Sequence, residues 1–383
     1  MDMFNAQSLE DRLVEVRRRP SGFDYMRIVL ACLVLLSHTL NVVYGQDITT
    51  ALWQGPIRPF LAAILPMFFA LSGFLVTGSL ERCRTLVSFL GLRIMRIVPA
   101  LAVEVLLSAF ILGPIFTSLG LGHYFTDAHF YAYFLNVLGD VHMELPGVFL
   151  HNVWPQTINL QLWVLPRELK CYILLGLMFL FGVVKPNRQT LLFVVALHIG
   201  AAIYFSIGAS HKMQGMPNTL SGWLLVISFV AGVSMYVFRR QIPYSGSLFL
   251  ACAVLSAVLL SVPGGDTFVP FPIAYATTYL GLHNPGRSKI ILSGDYSYGI
   301  YLYGFPIQQA IAALGPWTAP WYMNVALALP CATLLAVSSW WIVEKPVLRL
   351  RPKLTKLEDR VLLGLDAARA SWSAWVRRSL SNE

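Results

Sequence analysis

Charge is scarce in this 383-residue chain: Asp, Glu, Lys and Arg make up 12%, about half of what a soluble domain carries. That excludes an ordinary soluble globular protein. Acids are scarcer than bases, 19 against 28, for a net charge of +9. Cysteine is limited to Cys32, Cys83, Cys171, Cys252 and Cys331, four in apolar runs and one in a basic loop. None has metal-ligand spacing, so neither a disulfide framework nor a zinc site is supported, and they read as small apolar fillers. A cleavable signal peptide is not expected either. The first hydrophobic run begins near Tyr25, is too long for a signal core and lacks a small-residue cleavage site, so it reads as a retained anchor. There is no internal repeat, no low-complexity run and no second soluble domain.

What the chain has instead is apolar length. Hydrophobic residues make up 56% and the mean hydropathy is +0.63. This predicts an all-α, polytopic membrane protein, a bundle of about ten transmembrane helices. The spans fall at 25–44, 57–80, 97–118, 160–182, 189–207, 220–238, 245–262, 266–282, 293–314 and 321–343. With both termini cytoplasmic, 23 of the 28 Lys and Arg lie in cytoplasmic segments, as the positive-inside rule requires. The basic excess therefore follows topology and lipid headgroups, and no nucleic-acid partner is expected. Residues 1–24 form a cytoplasmic N-terminal segment, 25–346 the membrane domain and 347–383 a cytoplasmic tail.

The longest outer segment, 119–159, has no Lys or Arg but holds His123, His129, His142 and His151. Their irregular spacing favours surface or capping roles, and no metal site is assigned. The apolar stretch Phe130–Leu138 is too short to span and reads as re-entrant or interfacial. In the tail, Leu354, Leu357, Val361, Leu365, Ala368 and Trp372 recur at helical spacing among basic residues, the pattern of a helix lying on the membrane surface.

Arg27 and His38 stand eleven residues apart in the first span. At about 100° per residue they return to within about 20° of one face, about 16 Å apart along the axis. Ionisable groups inside a membrane are costly and mark functional positions. Arg27 could pair with Asp24 or reach the headgroups. His38, past mid-span, is a candidate general base. In the fourth span, Arg167, Glu168 and Lys170 follow Pro166, and a dozen apolar residues follow them. The cluster therefore sits inside the membrane. Glu168 points away from its basic neighbours and could orient His38 or accept a hydrogen bond from a substrate hydroxyl.

Arg82 and Arg84 fit the positive-inside pattern. Arg93 and Arg96, spaced i,i+3 before Pro99, stand together at a helix mouth and suit a phosphate-rich ligand such as a nucleotide or coenzyme A. Ser72 and Gly73 are small neighbours that allow close helix packing or leave room for a thin pantetheine arm. Tyr296, Tyr298, Tyr301 and Tyr303 open the ninth span, partly as an aromatic belt. Gln308 and Gln309 lie inside that span and need partners.

Together these segments resemble the bacterial acyltransferase-3 family of membrane O-acyltransferases. Arg27 and His38, after Phe23 and Asp24, match its first-helix signature. The run Phe68, Phe69, Ser72, Gly73, Phe74 and Leu75 matches its second-helix motif, and Arg93, Arg96 and Pro99 match the third. Leu162, Trp163, Leu165 and Glu168 look like its Leu-Trp…Glu run. Ser297, Tyr298, Tyr301 and Leu302 look like its Ser-Tyr…Tyr-Leu run, and Glu344, Lys345 and Pro346 like its final Glu-Lys-Pro. The motifs occur in the family's order over about 20–346. The chain departs from many members at Asn159–Gln161, Val164, Arg167 and Gly304, all on the acceptor side.

The resemblance implies transfer of an acyl group, commonly acetyl from cytoplasmic acetyl-CoA, to a carbohydrate hydroxyl at or beyond the outer face of a bacterial cytoplasmic membrane. Leu145 to Phe149 and the Phe-Pro-x-Gln-Gln ending resemble the branch acting on surface polysaccharides or their lipid-linked precursors. On this basis His38 is the base or a transient acyl carrier, with Glu168 orienting the imidazole or acceptor. Arg27, Arg93 and Arg96 hold the donor's phosphates or pantetheine arm. Ser72 and Gly73 line the acyl route. Trp163, as a sugar platform, Asn159, Tyr298, Tyr301 and Gln308 are the acceptor-side candidates. Acetyl-CoA is a co-substrate, and no permanently bound cofactor is expected. A flippase or transporter of lipid-linked glycan would also keep charges in its spans, but would not need a CoA-sized basic mouth.

Overall fold

The computed structural model describes residues 7–212, 220–318, 320–354, 356, 358–360 and 363. These residues are overwhelmingly helical, with no strand beyond three isolated bridges. We number the main helices α1 (Leu9–Glu15), α2 (Gly22–Gln54), α3 (Arg58–Glu81), α4 (Leu86–Leu107), α5 (Leu165–Leu180), α6 (Arg188–Lys212), α7 (Gly222–Val237), α8 (Gly246–Ser261), α9 (Pro270–Leu282), α10 (Ser297–Ala312) and α11 (Trp321–Ser339). Among the described residues four helical stretches are long and apolar enough to cross a membrane: Gly22–Gln54, Arg58–Glu81, Leu86–Phe116 and Trp321–Arg360. Shorter apolar helices include Gly222–Val237 and Gly246–Ser261.

A helix occurs at each of the ten expected positions, and the differences have local causes. α2 runs ten residues beyond the expected end, but it kinks at Gly45, whose φ of 73° is left-handed and is easy only without a Cβ. α4 begins eleven residues before the expected start. Thr85 caps it by accepting the Ser88 N–H at 3.2 Å, so Arg93 and Arg96 lie inside the helix rather than at its mouth. Within the eighth expected span Pro270 is the first residue of α9, where its missing N–H costs nothing. Pro166 sits likewise in the first turn of α5.

α1 is tied to the bundle rather than hanging from it. A capping box joins Ser8 and Asp11, and these hydrogen bonds hold the Asp11 carboxyl below its ordinary range. Leu9 is fully buried, and its N–H donates to Ile242 O at 2.9 Å. Buried Glu10 pairs with Arg239. In the 119–159 segment, Ala128–Tyr133 continues as a 3₁₀ turn at Phe134–Leu138, too short to span. His129 faces Asp127 at 2.9 Å and His142 faces Asp140 at 3.4 Å. Most of the expected amphipathic tail helix, including Val361, Leu365, Ala368 and Trp372, lies outside the described residues.

The closest seam in the bundle joins α3 and α7. A Cβ on Gly73 would fall 2.0 Å from Phe229 O, and one on Gly232 would fall 2.0 Å from Ala70 O. The two backbones therefore touch reciprocally, as small residues allow in membrane helices. Gly232→Val is expected to cost about 3 kcal/mol or more, read as a lower Tm in detergent and loss of the monodisperse fraction. An unchanged Tm would mean that the seam is wider than described.

Candidate active site

A cavity of about 160 Å³ opens between α2, α3, α4, α5 and α10. Its polar wall is Arg27, Ser72, Arg93, Arg96, Glu168, Tyr172, Asp295, Ser297, Tyr298 and Tyr301, and its apolar wall includes Phe68, Phe69, Val76 and Leu162. Residues from five helices, spread over more than 270 positions of sequence, thus meet in one place.

The arginines differ in their partners. Arg96 Nη2 lies 2.7 Å from Asp295 Oδ2, and its Nη1 lies 2.9 Å from Glu344 Oε2. Its guanidinium also faces the rings of Tyr298 at 5.8 Å and Trp340 at 5.5 Å, within cation–π range. Arg27 shares Asp295 at 3.2 Å and stands 3.8 Å from Asp24. Arg93 donates to Ser79 Oγ at 3.3 Å, and its buried Nε has no partner. Among the described residues no carboxylate comes within ion-pair distance of Arg93. One guanidinium in the wall is thus left without a neutralising contact.

The carboxylate end is Glu168, which accepts a hydrogen bond from the Tyr172 hydroxyl one turn on. Arg167 is turned away from the cavity. It donates to Trp163 O at 2.7 Å and lies 5.4 Å over the Trp163 ring. Two tyrosines of the wall are fixed through their hydroxyls. Tyr298 donates to Ile97 O at 3.1 Å and Tyr301 to Gln161 O at 2.7 Å.

His38 is half-buried and lies outside this wall. Its ring meets Phe305 edge to face, with centroids 5.3 Å apart and planes at 89°. Phe305 is four residues beyond Tyr301 on α10, so the imidazole sits about one turn, roughly 6 Å, further along the bundle than the tyrosine. Beyond it Gln308, fully buried, donates to Leu35 O at 2.8 Å and to the Thr39 hydroxyl, the residue after His38. Its Oε1 has no partner. Nothing joins Glu168 to His38 directly: the carboxylate is engaged by Tyr172.

Two sequence expectations are corrected. Gly73 does not line the route beside Ser72. Successive helical residues diverge by about 100°, so with Ser72 in the wall, Gly73 meets the α7 backbone. Asn159 does not face the cavity. It is fully buried, its Nδ2 donates to Glu104 Oε1 at 2.8 Å and to the Tyr133 hydroxyl, and its Oδ1 accepts from Gln161 Nε2 at 2.9 Å. Its hydrogen-bonding groups are taken up inside the protein, where an unpaired amide would be costly.

Glu104, 1% exposed, anchors that network and also accepts from Ser108 Oγ at 2.5 Å. Glu104→Gln keeps an acceptor for both donors and is expected to change stability by less than about 1 kcal/mol. Glu104→Leu strands Ser108 and Asn159 and is expected to cost about 2–4 kcal/mol, measured as thermal unfolding in detergent. Equal loss in both variants would show that the charge, not the hydrogen bonding, holds the site.

The sequence reading passed over Asp295 and Glu344 as partners of the arginines. Both were visible as acids beside recognisable runs, Asp295 before Ser297–Leu302 and Glu344 before Lys345 and Pro346. Their pairing across more than 190 residues was not. Glu104 was equally visible as a lone carboxylate in an apolar span.

The described residues thus form a helical bundle with long apolar helices and an arginine-lined cavity, with a half-buried histidine about one turn away. The comparisons make the class specific: the chain belongs to the acyltransferase-3 family, whose model, an acyltransferase domain, matches residues 21–345. It is 26% identical over 343 residues to the O-acetyl transferase of Shigella phage Sf6, covering 87% of this chain and 98% of that one. It is likewise 26% identical over 361 residues to nodulation protein 10 of Rhizobium leguminosarum bv. viciae, covering 87% of this chain and 95% of that protein. No solved structure matches. The chain is an O-acyltransferase of this family.

Proposed function

We propose that this protein is a multi-pass enzyme of the bacterial cytoplasmic membrane, with about ten spans and both termini in the cytoplasm. It moves an acetyl group from cytoplasmic acetyl-CoA to a hydroxyl of a surface polysaccharide or of its lipid-linked precursor. The observation that carries the donor assignment is the cavity wall: three guanidiniums converge there and one, Arg93, has no carboxylate partner. Such a wall suits phosphate better than a neutral solute. The acceptor assignment rests on relatives such as the phage O-acetyl transferase and on the acceptor-side motifs.

In this reading the arginine cavity faces the cytoplasm and holds the phosphates and pantetheine arm, with Ser72 beside the arm. The thioester end reaches along the bundle toward His38. The acceptor oxygen attacks the thioester carbonyl carbon, the C–O bond forms and the C–S bond breaks. His38 takes the hydroxyl proton and returns it to the departing thiolate, so the products are the ester and free CoA thiol. Glu168 and Tyr172 polarise the cavity between the two ends. Tyr298 and Tyr301 hold its wall toward α10. Trp163 offers the acceptor the ring face that Arg167 does not cover, and Gln308 offers its free Oε1.

The test is CoA release from acetyl-CoA by purified, detergent-solubilised protein, with and without an extract of lipid-linked glycans. Thiol release that depends on the glycan supports the transferase. No release from folded protein with any acceptor pool would favour a transporter of lipid-linked glycan instead.

A further inference from the structure

We propose that Asp295 is a positioning residue that sets the donor's affinity by competing with phosphate for Arg27 and Arg96. The inference rests on the reading that the donor is a phosphate-bearing thioester, and goes beyond it by assigning the anion that the donor displaces. Asp295 Oδ2 bridges the two arginines at 3.2 and 2.7 Å, joining α2 to α4 from the loop before α10. All three groups line the cavity. The carboxylate therefore lies where an incoming phosphate would make its own contacts.

Charge makes the competition necessary. The wall carries three arginines, Arg27, Arg93 and Arg96, against two carboxylates, Glu168 and Asp295. Its formal charge is thus +1, too little to balance a diphosphate while Asp295 holds two of the three cations. Asp295 also has a second hold. Its Oδ1 accepts from Ser297 Oγ at 2.6 Å, in the first residue of α10, where a helix N-terminus favours negative charge. The carboxylate can give up the arginines and keep that contact. Glu344 plays the opposite part. It is 1% exposed, lies outside the wall and holds the other amine of Arg96, so it anchors the guanidinium that Asp295 releases. A carboxylate that exchanges with phosphate also keeps the arginines from closing on weaker anions, since a rival must offer more charge than Asp295 does.

The test is binding of radiolabelled CoA to the full-length protein in detergent, with inorganic pyrophosphate as displacing probe. Asp295→Asn is expected to bind CoA about tenfold more tightly and to be displaced by about tenfold less pyrophosphate. Asp295→Glu, which restores the rival charge, is expected to stay near wild type. A carboxylate that only braced the two helices would give the reverse, so weaker or unchanged binding by a monodisperse Asp295→Asn protein overturns the proposal. Ser297→Ala removes the second hold. It is expected to weaken CoA and pyrophosphate about threefold, and unchanged binding would likewise count against the proposal should Asp295→Asn not fold. Binding of radiolabelled pyrophosphate is also measured directly: if wild type binds it but no CoA, the donor reading fails, while the direct pyrophosphate affinities of wild type and Asp295→Asn still decide the role of Asp295.

Discussion

His38→Ala is expected to lower acetyl transfer by about two to four orders of magnitude, the range of a lost general base, while CoA binding stays within about twofold. The split follows from geometry. The imidazole lies outside the arginine cavity, against Phe305 and about one helical turn beyond Tyr301, so its loss leaves the phosphate contacts in place. The alanine opens space beside Phe305, and a Tm within a few degrees of wild type would show that the lost activity is not lost fold. Single-turnover rates with acetyl-CoA separate chemistry from binding. If transfer persists in the alanine variant, another residue carries the proton. If CoA binding falls as steeply as rate, His38 belongs to the donor site.

Arg93→Gln is expected to do the reverse: to raise KM for acetyl-CoA by about 10- to 100-fold, with a smaller change in kcat. A charge-assisted hydrogen bond contributes about 1.5–3 kcal/mol, and each 1.4 kcal/mol is about tenfold. Of the three wall arginines, Arg93 alone has no carboxylate within ion-pair distance among the described residues. Its charge can therefore meet a ligand without first leaving a carboxylate; its hydrogen bond, at 3.3 Å, is to the Ser79 hydroxyl. Removing it also removes a half-buried charge with no ion-pair partner among the described residues, so the variant is expected to be about as stable as wild type. A lower KM together with a higher Tm would mean that Arg93 repels rather than recruits the donor. Arg96→Gln is a poorer probe, because it would leave Glu344, 1% exposed, without its cation, and that loss destabilises in its own right.

Much of this arrangement was legible in the sequence, and the rest was not for physical reasons. Apolar runs placed every long helix, because a hydrophobic stretch announces itself locally. Arg27, Ser72, Arg93, Arg96, Glu168, Tyr298 and Tyr301 were named from motifs and do meet in one cavity. Gly73 was misplaced because a sequence shows adjacency and not the 100° that separates neighbours on a helix. Asn159 was misplaced because its partners, Glu104 and Tyr133, come from other elements. α4 starts before its apolar run because Arg93 and Arg96, which the sequence places at a helix mouth, are tolerated inside the helix, Arg96 by its ion pair with Glu344. Asp295 carried no signal beyond its position, since its meaning lies in two arginines some 200 and 270 residues away.

The reciprocal contact of Gly73 and Gly232 bears on how the cavity could ever change shape. α3 supplies Phe68, Phe69, Ser72 and Val76 to the wall, and it touches α7 backbone to backbone at Gly73 and Gly232. With the backbones in contact at these two positions, α3 and α7 are held as one fixed post. A widening of the cavity would come from the opposite side, where α4 and α10 meet α3 through side chains and Asp295 holds Arg27 and Arg96. The rigid side of the cavity is α3 with α7, and Asp295 belongs to the side held together by side-chain contacts.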